Sequence, residues 1–185
     1  LGMLVQVERI RAAAGIDVGM ADAWASYGEG KRDVVVAVID TGVDISHEDL
    51  AGAIWVNEDE IPGNGLDDDG NGYADDVNGW NFYHNNNQIY NGSEDSHGTH
   101  GAGTIRASSG NGVGISGMIP GDRVKLMLVK ALGGGDGEGN TAALIKAIRY
   151  AEDNGASICN LSLTSPTNDQ ALYCAIRDSS MLFVA

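Results

Sequence analysis

Apolar residues in this chain fall into two kinds of run. The first is short, nearly unbroken and rich in β-branched side chains: Val34-Val35-Val36-Ala37-Val38-Ile39, Val124-Lys125-Leu126-Met127-Leu128-Val129, residues 157–163 around Ile158-Cys159-Asn160-Leu161, and Met181-Leu182-Phe183-Val184. A strand apolar at successive positions is buried on both faces, as in a parallel sheet covered by helices. The second kind is periodic. Within residues 142–154, Ala143, Leu144, Ala147, Ile148 and Ala151 share one helical face, with Thr141 placed to cap the start and Gly155 the end. Shorter helices are predicted over 19–26, holding Trp24, and over about 168–178; a weak helical period covers 5–14. Strands alternating with helices predict an α/β fold: a doubly wound, mostly parallel sheet with helices on both faces. Residues 1–20 read as a lead-in and 21–185 as one domain. The last apolar strand runs to the terminal Ala185, whereas domain boundaries fall in polar linker. The expectation is therefore a fold incomplete at its C-terminal end, in a chain that starts with Leu1 as a piece of something longer.

Polar residues concentrate at the ends of these elements. The first strand ends in Asp40-Thr41-Gly42. The carboxyl end of a central parallel strand is where open α/β sheets place ligands and catalytic groups, although an Asp there also suits a plain turn. Residues 95–104 read Asp-Ser-His-Gly-Thr-His-Gly-Ala-Gly-Thr. An interior helical Gly costs roughly 1 kcal/mol relative to Ala, so Gly98, Gly101 and Gly103 suit a helix that starts beside a close neighbour or substrate. That places His97 at a helix N-terminus. Residues 44–50 form a polar loop with His47 and Asp49, and His84 has no evident partner and reads as surface. Gly133-Gly134-Gly135-Asp136-Gly137-Glu138-Gly139 lacks the Gly-Lys-Ser/Thr of a phosphate loop, and its acids would repel phosphate. It reads instead as an exposed edge beside which a peptide could lie.

Residues 58–91 are acidic, rich in Asn and Gly and free of Lys and Arg. Within them Asp67, Asp69 and Asn71, followed by Gly72, match the first half of an EF-hand loop, and Asp75 and Asp76 add further carboxylates. The match ends at Asn78, where a bidentate Glu belongs, so this is no EF-hand. Two readings stay open: a Ca²⁺ loop, or a solvated acidic loop. The 185 residues carry 26 acidic and 11 basic side chains, a net charge of −15, which argues against nucleic acid and anionic membrane surfaces as partners. No apolar run approaches the ~20 residues of a membrane span. Cys159 and Cys174 are too few for a disulfide scaffold and read as free thiols.

Three segments in order resemble the subtilisin-like serine proteases (subtilases): Val36-Ala37-Val38-Ile39-Asp40-Thr41-Gly42-Val43-Asp44, the 95–104 stretch, and Asn160-Leu161-Ser162-Leu163. The resemblance implies a serine endopeptidase with an Asp-His-Ser triad acting on peptide or protein substrates. Asp40 would orient the imidazole and His97 would be the general base, with His100 structural. Gly137 and Gly139 would pair with the substrate backbone, and Ser162 and Leu163 would line the S1 pocket. Asp49 and Asn111 resemble ligands of a common calcium site. Asp67, Asp69, Asn71 and Asp75 would belong to a second Ca²⁺ site in an insertion found in some subtilases. A secreted location is implied as well. Gly101, Thr164 and Glu48 stand where Val, Gly and Pro are usual. The nucleophile motif and the oxyanion-hole Asn are absent, so the chain alone is expected to be inactive, its partner being the remainder of the catalytic domain. The alternatives are a catalytically inactive, calcium-dependent binding module of the same fold, and a metal-dependent hydrolase using His97 and His100. The second is disfavoured because these histidines lie three apart with no Glu between them.

Overall fold

A computed structural model of the chain describes residues 18–165 and 168–185; the period read over 5–14 and the turn read at Pro166 lie outside the described residues. Helix α1 is Met20–Tyr27 and strand β1 is Val34–Asp40. Helix α2 is Ser96–Arg106, β2 is Val124–Lys130, and β3 (Leu132–Gly133) and β4 (Glu138–Gly139) form a small antiparallel pair. Helix α3 is Thr141–Asp153, β5 is Ile158–Asn160, α4 is Gln170–Asp178 and β6 is Leu182–Val184. The main sheet has the order β2-β1-β5-β6, and every pair in it is parallel. This is the α/β architecture the strand–helix alternation predicts.

Successive side chains of a strand point to opposite faces, so β1 and β2 feed two separate cores. Ala37, Ile39, Met127 and Val129 pack with Ala143, Leu144, Ala147, Ile148 and Ala151 of α3. Val36, Val38, Leu126 and Leu128 pack with Ala102 of α2, Leu50 and Ile89. Helices therefore cover both faces, and the unbroken apolar runs are explained, since neither face of these strands is left to water. Burying each such Leu or Ile contributes about 1.5–3 kcal/mol.

The outer edge of β2 is closed by irregular chain. Leu126 N–H donates to the Ala53 carbonyl at 2.8 Å and Trp55 N–H to the Leu126 carbonyl at 2.9 Å. Leu128 N–H donates to Asn78 and Lys130 N–H to Trp80. This approach needs Gly79: it has φ +129°, and a Cβ there would stand 1.8 Å from the Leu128 carbonyl oxygen. Tyr73, Phe82 and Tyr150 meet edge to face and Trp80 packs tilted on Tyr73, with centroids 5.1 to 5.6 Å apart. The Tyr150 hydroxyl donates to Asp76 Oδ2 at 2.6 Å, and burial followed by this carboxylate drives its pKa far upward.

Some local expectations change. Asn140, not Thr141, caps α3, its side chain accepting from Ala143 N–H. Thr141 is the first helical residue, and its hydroxyl donates to Asp169 Oδ2 at 2.6 Å, joining α3 to the cap of α4. The strand read over 157–163 is shorter, and Ser162 and Leu163 follow it in irregular backbone. The glycine-rich segment turns back through Gly134 and Gly137, both at positive φ, to make the β3–β4 pair. Of the glycines in α2, Gly98 has a close neighbour: its Cβ would stand 2.2 Å from the Gly42 carbonyl oxygen. Gly101 and Gly103 face open space, so the close-approach argument does not extend to them.

Two outcomes follow from this packing. Cys159 is fully buried on β5, and burial pushes its thiol up to about 12, whereas Cys174 on α4 is half-buried. Iodoacetamide on the native protein near pH 8 should alkylate Cys174 and spare Cys159, as read by peptide mass, with Cys159 reacting only after denaturation. Gly98→Ala should lower stability by about 2 kcal/mol or more in chemical denaturation, because neither the strand end nor the helix can yield to the new methyl. Gly101→Ala should instead be neutral or mildly stabilising.

Candidate active site

The site is built where β1 ends and α2 begins. Asp40 is the last residue of β1 and 1% exposed. His97 is the second residue of α2. Its Nδ1 lies 2.7 Å from Asp40 Oδ1, and its side chain is 60% exposed. The same carboxylate oxygen accepts the Thr41 N–H at 2.6 Å, and Asp40 Oδ2 is buried without a hydrogen-bond partner among the described residues. An acceptor at Nδ1 fixes the tautomer: the proton sits on Nδ1 and Nε2 keeps its lone pair. Nε2 is then a base presented to solvent, and the buried carboxylate compensates the imidazolium that forms when it takes a proton.

Local sequence makes this contact possible. Gly98 lets the first turn of α2 close on the β1 tip, and its N–H donates to Thr41 Oγ1 at 3.2 Å. Gly42, at φ +117°, admits the Ile89 carbonyl and the Asp95 carboxylate on its other side. Thr99 Oγ1 donates to the Asp95 carbonyl and accepts the Asp44 N–H, so the helix start is tied to the chain that leaves the Asp-Thr-Gly turn. His100 lines a neighbouring cavity of about 390 Å³ with His47 and Asp44.

His97 opens into a cleft of about 990 Å³ whose walls include Gly137, Gly139, Ser162 and Leu163. The structure thus gathers the four residues read as substrate-binding around one cavity with the imidazole. Glu138 and Gly139 are exposed on β4, and Gly137 lies beside Thr41. Thr164, which stands where a Gly is usual, lines the same cleft, as do Asn140 and Leu144, which the sequence marks only as helix-start and apolar-face positions.

The residues read as metal-binding fall in two places. Asp49 and Asn111 meet: Asn111 Nδ2 donates to Asp49 Oδ1 at 2.8 Å, and Asp49 Oδ2 accepts the Ile115 N–H. In the acidic loop, one oxygen each from Asp67, Asp69 and Glu60 lie within 4.8 Å of one another. Glu60 is the member the loop spacing misses, because it precedes the motif. Asp75 is not in that group; its carboxylate accepts the N–H groups of Gly63, Asn64 and Gly65. Asn71 Oδ1 accepts the Tyr73 N–H, while its Nδ2 bridges Asp69 and Asp76.

Sequence reading also passed over Lys130. Its side chain is fully buried at the end of β2 and pairs at 2.5 Å with the equally buried Asp95. A lone Lys closing an apolar strand carries no sequence signal; only the fold brings Asp95 to it.

Comparison with known proteins agrees with this geometry. The model of the subtilase family matches residues 31–185. The major intracellular serine protease of Bacillus subtilis (strain 168) is 37% identical over 158 residues, covering 85% of this chain and 42% of that protein. Thermitase of Thermoactinomyces vulgaris is 32% identical over 155 residues, covering 83% and 45%, and subtilisin E of Bacillus subtilis (strain 168) is 35% identical over 161 residues, covering 85% and 34%. The chain spans less than half the length of these relatives. With a buried carboxylate and an imidazole in contact at the tips of β1 and α2, and a family match over most of its length, the chain belongs to the subtilase family.

Proposed function

We propose that this chain supplies the Asp–His part of a serine endopeptidase catalytic domain whose nucleophile lies outside the 185 residues. The observation that carries this reading is the 2.7 Å contact between His97 Nδ1 and Asp40 Oδ1. In peptide hydrolysis His97 Nε2 takes the proton of the attacking hydroxyl and returns it to the leaving amine. Asp40 holds the ring and stabilises its charged form. The substrate backbone lies along Gly137 and Gly139, and Ser162 and Leu163 contribute to the pocket for the residue before the scissile bond. In the cleft wall, Ser162 Oγ accepts the Asn160 Nδ2 hydrogen at 3.0 Å. A hydroxyl nucleophile needs hydrogen-bond contact with its base, so on this reading the isolated chain is expected to be inactive.

Calcium belongs to this proposal as a structural ion. Both candidate clusters are made of hard oxygen donors, the set Ca²⁺ prefers. At the first, Asp49 would supply a carboxylate, and a half-turn of the Asn111 amide would supply a carbonyl oxygen. At the second, Glu60, Asp67 and Asp69 would converge on the ion, which relieves the mutual repulsion of their charges. Secretion of the parent protein is part of the same reading, checked by its appearance in culture medium rather than in the cell fraction.

A fluorophosphonate probe should leave the isolated chain unlabelled and label a serine downstream of Ala185 in the longer protein. In that protein His97→Ala should lower kcat for a peptide substrate about 10⁴-fold with little change in KM. Absence of any labelled serine in the longer protein would favour the inactive calcium-dependent binding module. Melting should shift upward between EDTA and millimolar Ca²⁺, by an amount set by saturation, about 2.7 kcal/mol at a hundredfold excess over Kd. An unchanged melting curve removes both calcium sites.

A further inference from the structure

Lys130 and Asp95 are charged, fully buried and unused by the chemistry just described. In the parallel register of β1 and β2, Lys130 stands directly opposite Asp40. Its ammonium donates to the carbonyl oxygen of Thr41, the residue after Asp40. It also donates to Asp95 Oδ1 at 2.5 Å, two residues before His97, with Glu94 Oε1 3.5 Å away. The other Asp95 oxygen accepts the Asn91 N–H at 2.5 Å. One ammonium thus ties the chain leaving the carboxylate to the chain entering the imidazole.

We infer that the Lys130–Asp95 ion pair is a positioning device that fixes the spacing of Asp40 and His97. The inference rests on the Asp–His reading of the site and adds residues that touch neither the imidazole nor a substrate. Two facts separate this role from packing alone. A buried ion pair is weak support for stability, because desolvation of both charges offsets their attraction, and apolar or neutral replacements of such pairs are often tolerated. And the two atoms joined to Nζ sit on the two chain segments whose separation sets the 2.7 Å contact. With the pair removed, the β1 tip and the α2 start keep Gly98 N–H to Thr41 Oγ1, a longer bond at 3.2 Å, and the Thr99 links.

The test uses this chain with ¹⁵N-labelled histidine. The Nδ1–H proton of His97, assigned by its loss in His97→Ala, is followed by NMR for its low-field position and its exchange with solvent. In Lys130→Met/Asp95→Asn, which leaves no unpaired buried charge, the melting temperature should stay within a few degrees of the parent chain. The Nδ1–H proton should exchange at least tenfold faster or vanish. In Lys130→Arg, which keeps the charge and its donors, a slowly exchanging proton should return. A double variant whose Nδ1–H exchange is unchanged overturns the inference, as does a Lys130→Arg protein that is folded yet exchanges as fast as the double variant. Should the double variant melt too low to study, Asp95→Asn alone is read by the same criterion: unchanged exchange overturns, and accelerated exchange in the folded protein supports. None of these readings needs a nucleophile. A longer protein without protease activity would sink the endopeptidase proposal and leave the clamp standing; unchanged exchange in an active protease would do the reverse.

Discussion

The approach of a helix start to a strand end within hydrogen-bonding distance is the constraint on which the rest of this molecule depends. Side chains normally hold such elements apart. Here the contact of His97 with Asp40 at 2.7 Å needs a bare Cα at Gly98, where any methyl would meet the Gly42 carbonyl. It also needs Gly42 itself at a φ closed to most residues. The two cores on opposite faces of β1 and β2 fix the strand, and Ala102, fully buried in the second of them, fixes the helix. Apolar packing on either side thus places the strand and the helix that carry the two side chains.

Carboxylates play two different parts in this strongly acidic chain. In the loop before α2, they accept backbone N–H groups that no strand or helix satisfies. Asp67 takes three, Asp75 takes three, and Glu60 takes those of Asp68, Asp69 and Asp75. An acid-rich loop can therefore be ordered without a single element of regular structure, its side chains standing in for the missing ladder. At the sheet ends, by contrast, Asp40 and Asp95 are sealed from water and each faces one cation or one imidazole.

Much of this was legible in the residues themselves. Four strands and the helices between them are written in runs of β-branched side chains and in a 3.6-residue period, because both faces of the sheet are buried and both signals stay strong. Asp40 and His97 were legible because each sits at an element boundary with small residues about it. What the sequence withheld depends on long-range meetings. Lys130 finds Asp95 across 35 positions, Tyr150 finds Asp76 across 74, and Glu60 joins Asp67 and Asp69 from outside the loop motif. The capping of α3 was misread for a local reason: Asn140 and Thr141 are adjacent and both suit a cap, and the hydroxyl was drawn away by Asp169. The short β5 was overextended because Leu161 and Leu163 continue an apolar alternation after ladder pairing has stopped.

The covering of β2 by the segment through Gly79 gives the sheet a polarity of growth. On that side the amides of Leu126, Leu128 and Lys130 already have partners in irregular chain, and Gly79 lets that chain cross close to the strand. On the other side β6 offers Leu182 and Val184 to solvent. A further strand joining the main sheet would meet β6, at the edge opposite to β2.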